Sequence, residues 1–193
     1  MRLCSYIITS DTGLAPNPFW GYCTLAVCTP NHQGCTSEEG DWFVGISSKS
    51  HGNKLIYAMQ VSEKLGFDKY YHDPRFLKKR PNKNGTWKEQ SGDNMYYLKD
   101  GQWLQYPTNR HIEKKEIEQD TRYPTVFIAK NFYYFGENTK EIPLEFKDIV
   151  RKKQGIRCNY NDGLVKEFLH WLKTKFKSGI HGDPLDKEIS NVC

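Results

Sequence analysis

The chain has 193 residues, 26% of them charged, and a formal net charge of +5. That length suits one domain with a sizeable core, and a mean hydropathy of −0.76 with no long apolar run excludes a transmembrane helix. The opening MRLCSYIITSDTG has only a short apolar stretch and no small-residue cleavage site, so it does not read as a secretory signal and the expected compartment is the cytoplasm. There the six cysteines are expected as thiols, metal ligands or nucleophiles rather than disulfides.

In chain order, residues 3–9 (LCSYIIT) predict a first strand, inner in its sheet. Residues 11–18 (DTGLAPNP) predict a stiff loop, because two prolines and a glycine leave few backbone states. Residues 19–28 read as a strand or short helix and 30–40 as a surface loop. Gly40-Asp41 turns into an apolar strand holding Trp42, Phe43, Val44 and Ile46, and a small polar loop follows, Ser47 to Gly52. The next strand alternates strictly, Leu55, Tyr57, Met59 and Val61 on one face and Ile56, Ala58 and Gln60 on the other. Residues 67–72 allow one or two helical turns, stopped by Pro74, which disfavours helix at Asp73. Residues 77–94 predict a long polar loop. Asp100-Gly101 fits a two-residue type I′ turn, and the hairpin register then sets Leu98 opposite Trp103 and Tyr97 opposite Leu104. Residues 111–120 read as a charged helix or loop, 126–135 as a strand pair or bulged strand, and 144–153 as a short helix. Leu164, Val165, Phe168, Leu169, Leu172 and Phe176 form one apolar helical stripe, with Asn161 or Asp162 as N-cap and lysines in the last turn. A polar tail, 178–193, is expected to fray beyond a single domain over 1–177. Many strands and few helices in this order predict an α+β fold built on a closed or nearly closed antiparallel barrel with peripheral helices.

The chemistry-bearing residues are scattered. Lys78, Lys79, Arg80, Lys83 and Lys88 cluster around Trp87, and Lys147, Arg151, Lys152, Lys153 and Arg157 form a second cluster; basic residues beside aromatics suit nucleic acid, and equally a solvated face. The Ser47–Gly52 loop offers hydroxyl, ammonium and backbone donors for an anion or a base edge. Asp93 and Asn94 carry acceptors and donors that match a base edge, or bond their own turn. There is no phosphate-binding glycine loop, dinucleotide fingerprint or nucleophile elbow. His111-Ile112-Glu113 has a deaminase-like spacing, but the partner Pro-Cys-x-x-Cys is missing. The spacing of Cys23, Cys28, His32 and Cys35 allows tetrahedral zinc, yet Cys23 and Cys28 sit in an apolar run where cysteine packs as a small hydrophobe. Cys23, Cys28 and Cys158 remain candidate nucleophiles with no base identified beside them.

Three blocks carry a family resemblance. The first is Asp11-x-Gly-x-Ala-Pro-Asn-Pro-Phe19, followed by Gly21-Tyr22-Cys23-Thr24-Leu25-Ala26 and Cys28. The second is Gly40-Asp41-Trp42, Ser48-Lys49-Ser50, Leu55-x-Tyr57-Ala58-Met59 and Asp73-Pro74-Arg75-Phe76. The third is Gly92-Asp93-Asn94-x-Tyr96, with Phe132-x-Tyr134-Phe135-Gly136 and the terminal helix. Over residues 1–175 the chain resembles the nucleotide-modification-associated domain family of bacteria and phages, second type. Its pattern is also similar to the pseudouridine-synthase-and-archaeosine-transglycosylase-like (PUA-like) barrels, some of which hold a modified base in an aromatic cage.

The resemblance implies a binding module for a modified nucleobase or nucleotide, in a nucleic acid or free, seated at a barrel mouth. The candidate ligand-binding residues are Asp11, Asn17, Phe19, Tyr22, Ser47, Ser48, Lys49, Tyr57, Asp73, Arg75, Phe76, Asp93 and Asn94. No cofactor, metal or membrane partner is expected. The alternative is an enzyme that modifies or removes a nucleobase, with Asp11, Asp73 or Asp93 as acid/base or a cysteine as nucleophile.

Overall fold

The structure is a computed structural model, and it describes residues 1–28, 32, 35–151, 153 and 155–187. The strands are β1 (Leu3–Ile8), β2 (Cys23–Leu25), β3 (Trp42–Ser47), β4 (Leu55–Gln60), β5 (Glu63–Gly66), β6 (Tyr96–Lys99), β7 (Gln102–Gln105), β8 (Thr125–Ala129), β9 (Asn131–Tyr134) and β10 (Gly179–Ile180). The α-helices are α1 (Phe67–His72), α2 (Trp87–Gln90), α3 (Lys114–Thr121) and α4 (Asp162–Lys175).

Two bent ribbons organise these elements. The chain passes from β4 to β5, and from β8 to β9, with only a short break. β4 pairs antiparallel with β9, and β5 with β8. The bend splits the strands into a five-stranded sheet, β1-β3-β4-β9-β10, and a three-stranded sheet, β2-β8-β5. Alternation along β8 then buries both faces: Phe127 and Ala129 face the space between the sheets, and Val126 and Ile128 face the opposite side. Tyr6, Cys23, Phe43, Tyr57 and Met59 fill the inter-sheet core. Leu3, Trp42, Val44 and Ile46 on the far face of the larger sheet pack against Val165, Phe168, Leu169 and Leu172 of α4. Asn161 caps α4, its Oδ1 accepting from the amides of Gly163 (2.9 Å) and Leu164 (3.3 Å).

The α+β class is as expected, but among the described residues none of the sheets closes into a barrel. The edges of the five-stranded sheet are occupied by strands running parallel to their neighbours, β1 beside β3 and β10 beside β9, and those of the three-stranded sheet by β2 and β5, both antiparallel to β8. The β6–β7 hairpin, expected in the barrel wall, pairs with neither sheet and so bridges no edge. Its turn and register are as predicted, with φ of 52° at Asp100 and 76° at Gly101. β1 is an edge strand rather than an inner one; on its outer side Ser5 and Arg157 exchange backbone hydrogen bonds of 2.9 and 3.0 Å.

Other expectations need correction. The 77–94 loop contains the capped turn α2, whereas the short helix expected in 144–153 is present as a 3₁₀ helix over 144–149. The described part of the tail is docked: β10 pairs with β9, and the Asp11 amide donates to Asp186 Oδ2 at 2.8 Å. The cysteines are not all thiols. Cys4 is disulfide-bonded to Cys158, because the Ser5–Arg157 pairing sets their backbones side by side, and Cys28 is also in a disulfide. Among the described residues Cys23 and Cys35 are free, and no helix is long and apolar enough to cross a membrane.

Candidate functional site

The proline-rich loop, α1 and the Gly92-Asp93-Asn94 block meet in a buried polar network. Asn17 and Thr24 exchange backbone hydrogen bonds of 2.9 Å, which anchors the loop to β2. The buried Lys79 ammonium donates to Asn17 O (3.0 Å) and Oδ1 (2.6 Å), and Asn17 Nδ2 donates to Ser91 O (2.6 Å). Thr24 Oγ1 and Tyr70 OH donate to the two oxygens of Asp93, at 2.5 and 2.8 Å. Nearby, Tyr134 OH lies 2.8 Å from both oxygens of Asp11, and the Tyr6 and Tyr57 hydroxyls share a 2.6 Å hydrogen bond.

Burial dominates the electrostatics of this network. It pushes Asp11 up to about 6 and Lys79 down to about 8, against the pull of Asp93 on Lys79. Asp93 is also raised by burial, and the Cys23 thiol is held well above its usual range, so it stays a thiol and packs as a small hydrophobe. In sequence Lys79 reads as one member of a basic cluster. It ends the 3₁₀ segment 74–79, where residues three apart eclipse, so Phe76 and Lys79 turn inward together. Its neighbour Arg80 is also not a free surface cation: the guanidinium lies 3.9 Å over the Tyr71 ring and donates to Tyr71 O at 2.8 Å.

The remaining predicted residues lie apart from this network or serve it as packing. Phe19 is buried, edge-on to Trp20 and Trp87, with the Lys88 ammonium 4.7 Å over its ring. Tyr22 packs edge-on to Phe76, which also abuts Tyr70. Asn94 is buried, and its Nδ2 donates to the carbonyls of Tyr70 (3.2 Å) and Phe76 (3.1 Å). Asp73 accepts from Arg75, whose guanidinium also forks onto Glu63 at 2.8 and 3.0 Å. Ser47 is buried, its hydroxyl donating to His51 O (3.1 Å) and accepting from Lys54 N (2.8 Å). Ser48 shares hydrogen bonds with Ser50 (2.7 Å) and His51 (3.0 Å) at the surface.

The Ser47–Gly52 loop borders a cleft of about 660 Å³. It is lined by Lys49, Gly52 and Asn53 from the loop and its end, by Glu141, Ile142, Lys147, Asp148, Val150 and Arg151, and by Ile7. Glu141 is neutralised by Lys54, 2.8 Å away. Lys49, Lys147 and Arg151 bring three basic side chains to the cleft, Glu141 and Asp148 two acidic ones, and Ile7, Ile142 and Val150 an apolar lining. Lys147 and Arg151 belong to the second basic cluster, whose Lys152 lies outside the described residues.

The sequence matches a family model, Nucleotide modification associated domain 2, over residues 1–191. The chain belongs to that family. No curated protein and no solved structure matches it.

One arrangement in this family member escapes a reading of the sequence. Cys28 Sγ lies 3.3 Å from His111 Nε2, and His111 Nδ1 is hydrogen-bonded to Asp120 Oδ2. Tyr96 OH donates to the same Asp120 oxygen at 2.9 Å, and the Cys28 amide donates to Oδ1 at 3.3 Å. Cys28 and His111 both sit at positive φ, 81° and 51°, a conformation costly for side chains with a Cβ. Cysteine, histidine and aspartate in a row have nucleophile, base and orienting group in hydrogen-bond order. The only hint in the sequence is the charged 111–120 stretch, which holds both the histidine and its aspartate. His32, one of the four zinc candidates, is fully buried, neither ring nitrogen has a hydrogen-bond partner among the described residues, and burial lowers it to about 4.

Proposed function

We propose that this protein is a nucleotide-binding module serving nucleotide modification, with the ligand in the cleft between the Ser47–Gly52 loop and residues 141–151. One observation carries the reading: two features that look unrelated in sequence, the 47–52 loop through Lys49 and Gly52 and the second basic cluster through Lys147 and Arg151, line one cleft. Its volume, about 660 Å³, lies in the range of small-molecule sites. Lys49, Lys147 and Arg151 would hold phosphate, while Ile7, Ile142 and Val150 would support the sugar or base. The buried Asp11, Asn17, Tyr57 and Asp93 network would stiffen the loops that the family motifs mark. Native mass spectrometry with a pool of nucleoside 5′-monophosphates, made by digesting cellular DNA and RNA, tests it. The expected result is a 1:1 complex with one or a few of the nucleotides; no complex at low salt would defeat the reading.

A second reading is favoured by the Cys28–His111–Asp120 row: after reduction of its disulfide, Cys28 would act as a nucleophile on a nucleobase, with His111 as base. Alkylation of the reduced protein distinguishes it. Cys28 should then react faster than an unactivated thiol and slow at least tenfold in Asp120→Asn; equal rates would reject it.

A further inference from the structure

The rim of the inter-sheet core contains a sulfur cluster that the nucleotide reading does not use. Cys4 on β1, Cys35 and Cys158 bring their sulfurs within 4.8 Å of one another. Cys35 is a free thiol, 4.0 Å from Cys4 Sγ. Three segments far apart in sequence therefore converge on one point. Zinc–thiolate bonds are about 2.3 Å long, so two sulfurs on a tetrahedral zinc ion stand about 3.8 Å apart. The Cys4–Cys35 separation already matches that edge, and opening the Cys4–Cys158 bond leaves the third sulfur beside it.

The surroundings suit thiolates. Ser37 Oγ lies 3.1 Å from Cys35 Sγ and 3.5 Å from Cys4 Sγ, placed to donate to either, as outer-shell partners of metal ligands do. Cys158 lines a surface cleft with Arg2 and Arg157, whose charges favour an anionic sulfur centre. Cys4 is buried while Cys35 and Cys158 are half-buried, so the cluster has one dry side and one side open to a fourth ligand.

We propose that the reduced chain binds one zinc ion through the thiolates of Cys4, Cys35 and Cys158, with water or an anion at the fourth position. A phosphine reductant opens the site: it breaks the Cys4–Cys158 bond, leaves two thiols and becomes the phosphine oxide, its oxygen coming from water. Zinc binding then forms three sulfur–zinc bonds and releases three thiol protons. Soft thiolates in this number select zinc over magnesium or calcium.

The test uses the full chain, reduced with a phosphine and stripped by a chelator, then titrated with zinc sulfate against a chromophoric zinc indicator. Expected are one equivalent bound, at least tenfold weaker binding in Cys35→Ser, wild-type binding in Cys23→Ala, and loss of the site in the unreduced protein. Cobalt(II) added to the reduced wild type should give a thiolate-to-cobalt charge-transfer band, which needs no variant to fold. Absence of that band, or equal zinc binding by Cys35→Ser, would overturn the proposal.

Discussion

Replacing Asp11 by asparagine should change how stability depends on pH, in a direction opposite to ordinary acid denaturation. Asp11 is buried and its carboxyl titrates near 6 in the folded protein, pushed up by burial. In the unfolded chain the same group titrates near 3.9. Between these values the folded state holds the proton more tightly. Its contribution is therefore fully present below about pH 4 and is lost as the pH rises through 6. The gap corresponds to about 3 kcal/mol, or about 6–12 °C in Tm for a chain of 193 residues. The carboxamide of the Asp11→Asn variant does not titrate. It alters the bonds to Tyr134 and the Leu185 amide by an offset that does not depend on pH. The stability difference between Asp11→Asn and wild type should thus shift by about 2 kcal/mol in favour of the variant between pH 4 and pH 7. Urea titrations of both proteins at half-unit pH steps measure it, since titrating groups that do not interact with Asp11 cancel in the difference. Parallel curves would refute the reasoning, as they would mean that Asp11 is ionised at its usual pH inside the fold.

Lys79→Met removes the ammonium that both Asn17 oxygens and Asp93 face, and should cost about 3–5 kcal/mol in chemical denaturation, as breaking a buried charged network does; a loss under 1 kcal/mol would show Lys79 to be dispensable. Asn94→Ala leaves two buried carbonyls without their donor and should cost about 1–3 kcal/mol while nucleotide affinity stays within twofold; lost affinity at unchanged Tm would instead make Asn94 a ligand contact. Gly45→Ala would place a methyl inside the Tyr57 ring and the Ile8 side chain in the middle of β3, and should lower stability by at least about 1–3 kcal/mol; an unchanged Tm would contradict the packing described.

Local chemistry was the legible part of this fold. Asp100-Gly101 specifies its turn without help from the rest of the chain, and the α4 stripe needs only a surface to cover. The strict alternation of residues 55–61 likewise forecasts β4. Closure was not legible. Whether edge strands meet depends on which neighbour each one joins, and nothing in LCSYIIT distinguishes a parallel edge strand from an inner one. Lys79 misleads for a related reason: Lys78-Lys79-Arg80 looks uniformly basic, and only the 3₁₀ turn decides which of the three points inward. Cys28 and His111 each drew notice in sequence, but their pairing was not legible because they lie more than eighty residues apart. The loop at Ser47–Gly52 is recognisable as a candidate donor site, but the residues that line the proposed cleft with it come from 141–151, whose basic character suggests only solubility or nucleic acid.

The central claim is that Lys49, Lys147 and Arg151 make the cleft a nucleotide site. The most direct measurement is calorimetric titration of a nucleoside 5′-monophosphate identified by mass spectrometry into wild type and the Lys49→Ala/Lys147→Ala double variant, at 50 mM and 200 mM salt. The account predicts saturable 1:1 binding that weakens with salt, and at least about tenfold weaker, less salt-sensitive binding in the variant, about 1.4 kcal/mol or more. Equal affinity and equal salt dependence in the two proteins would place the nucleotide elsewhere and contradict the account.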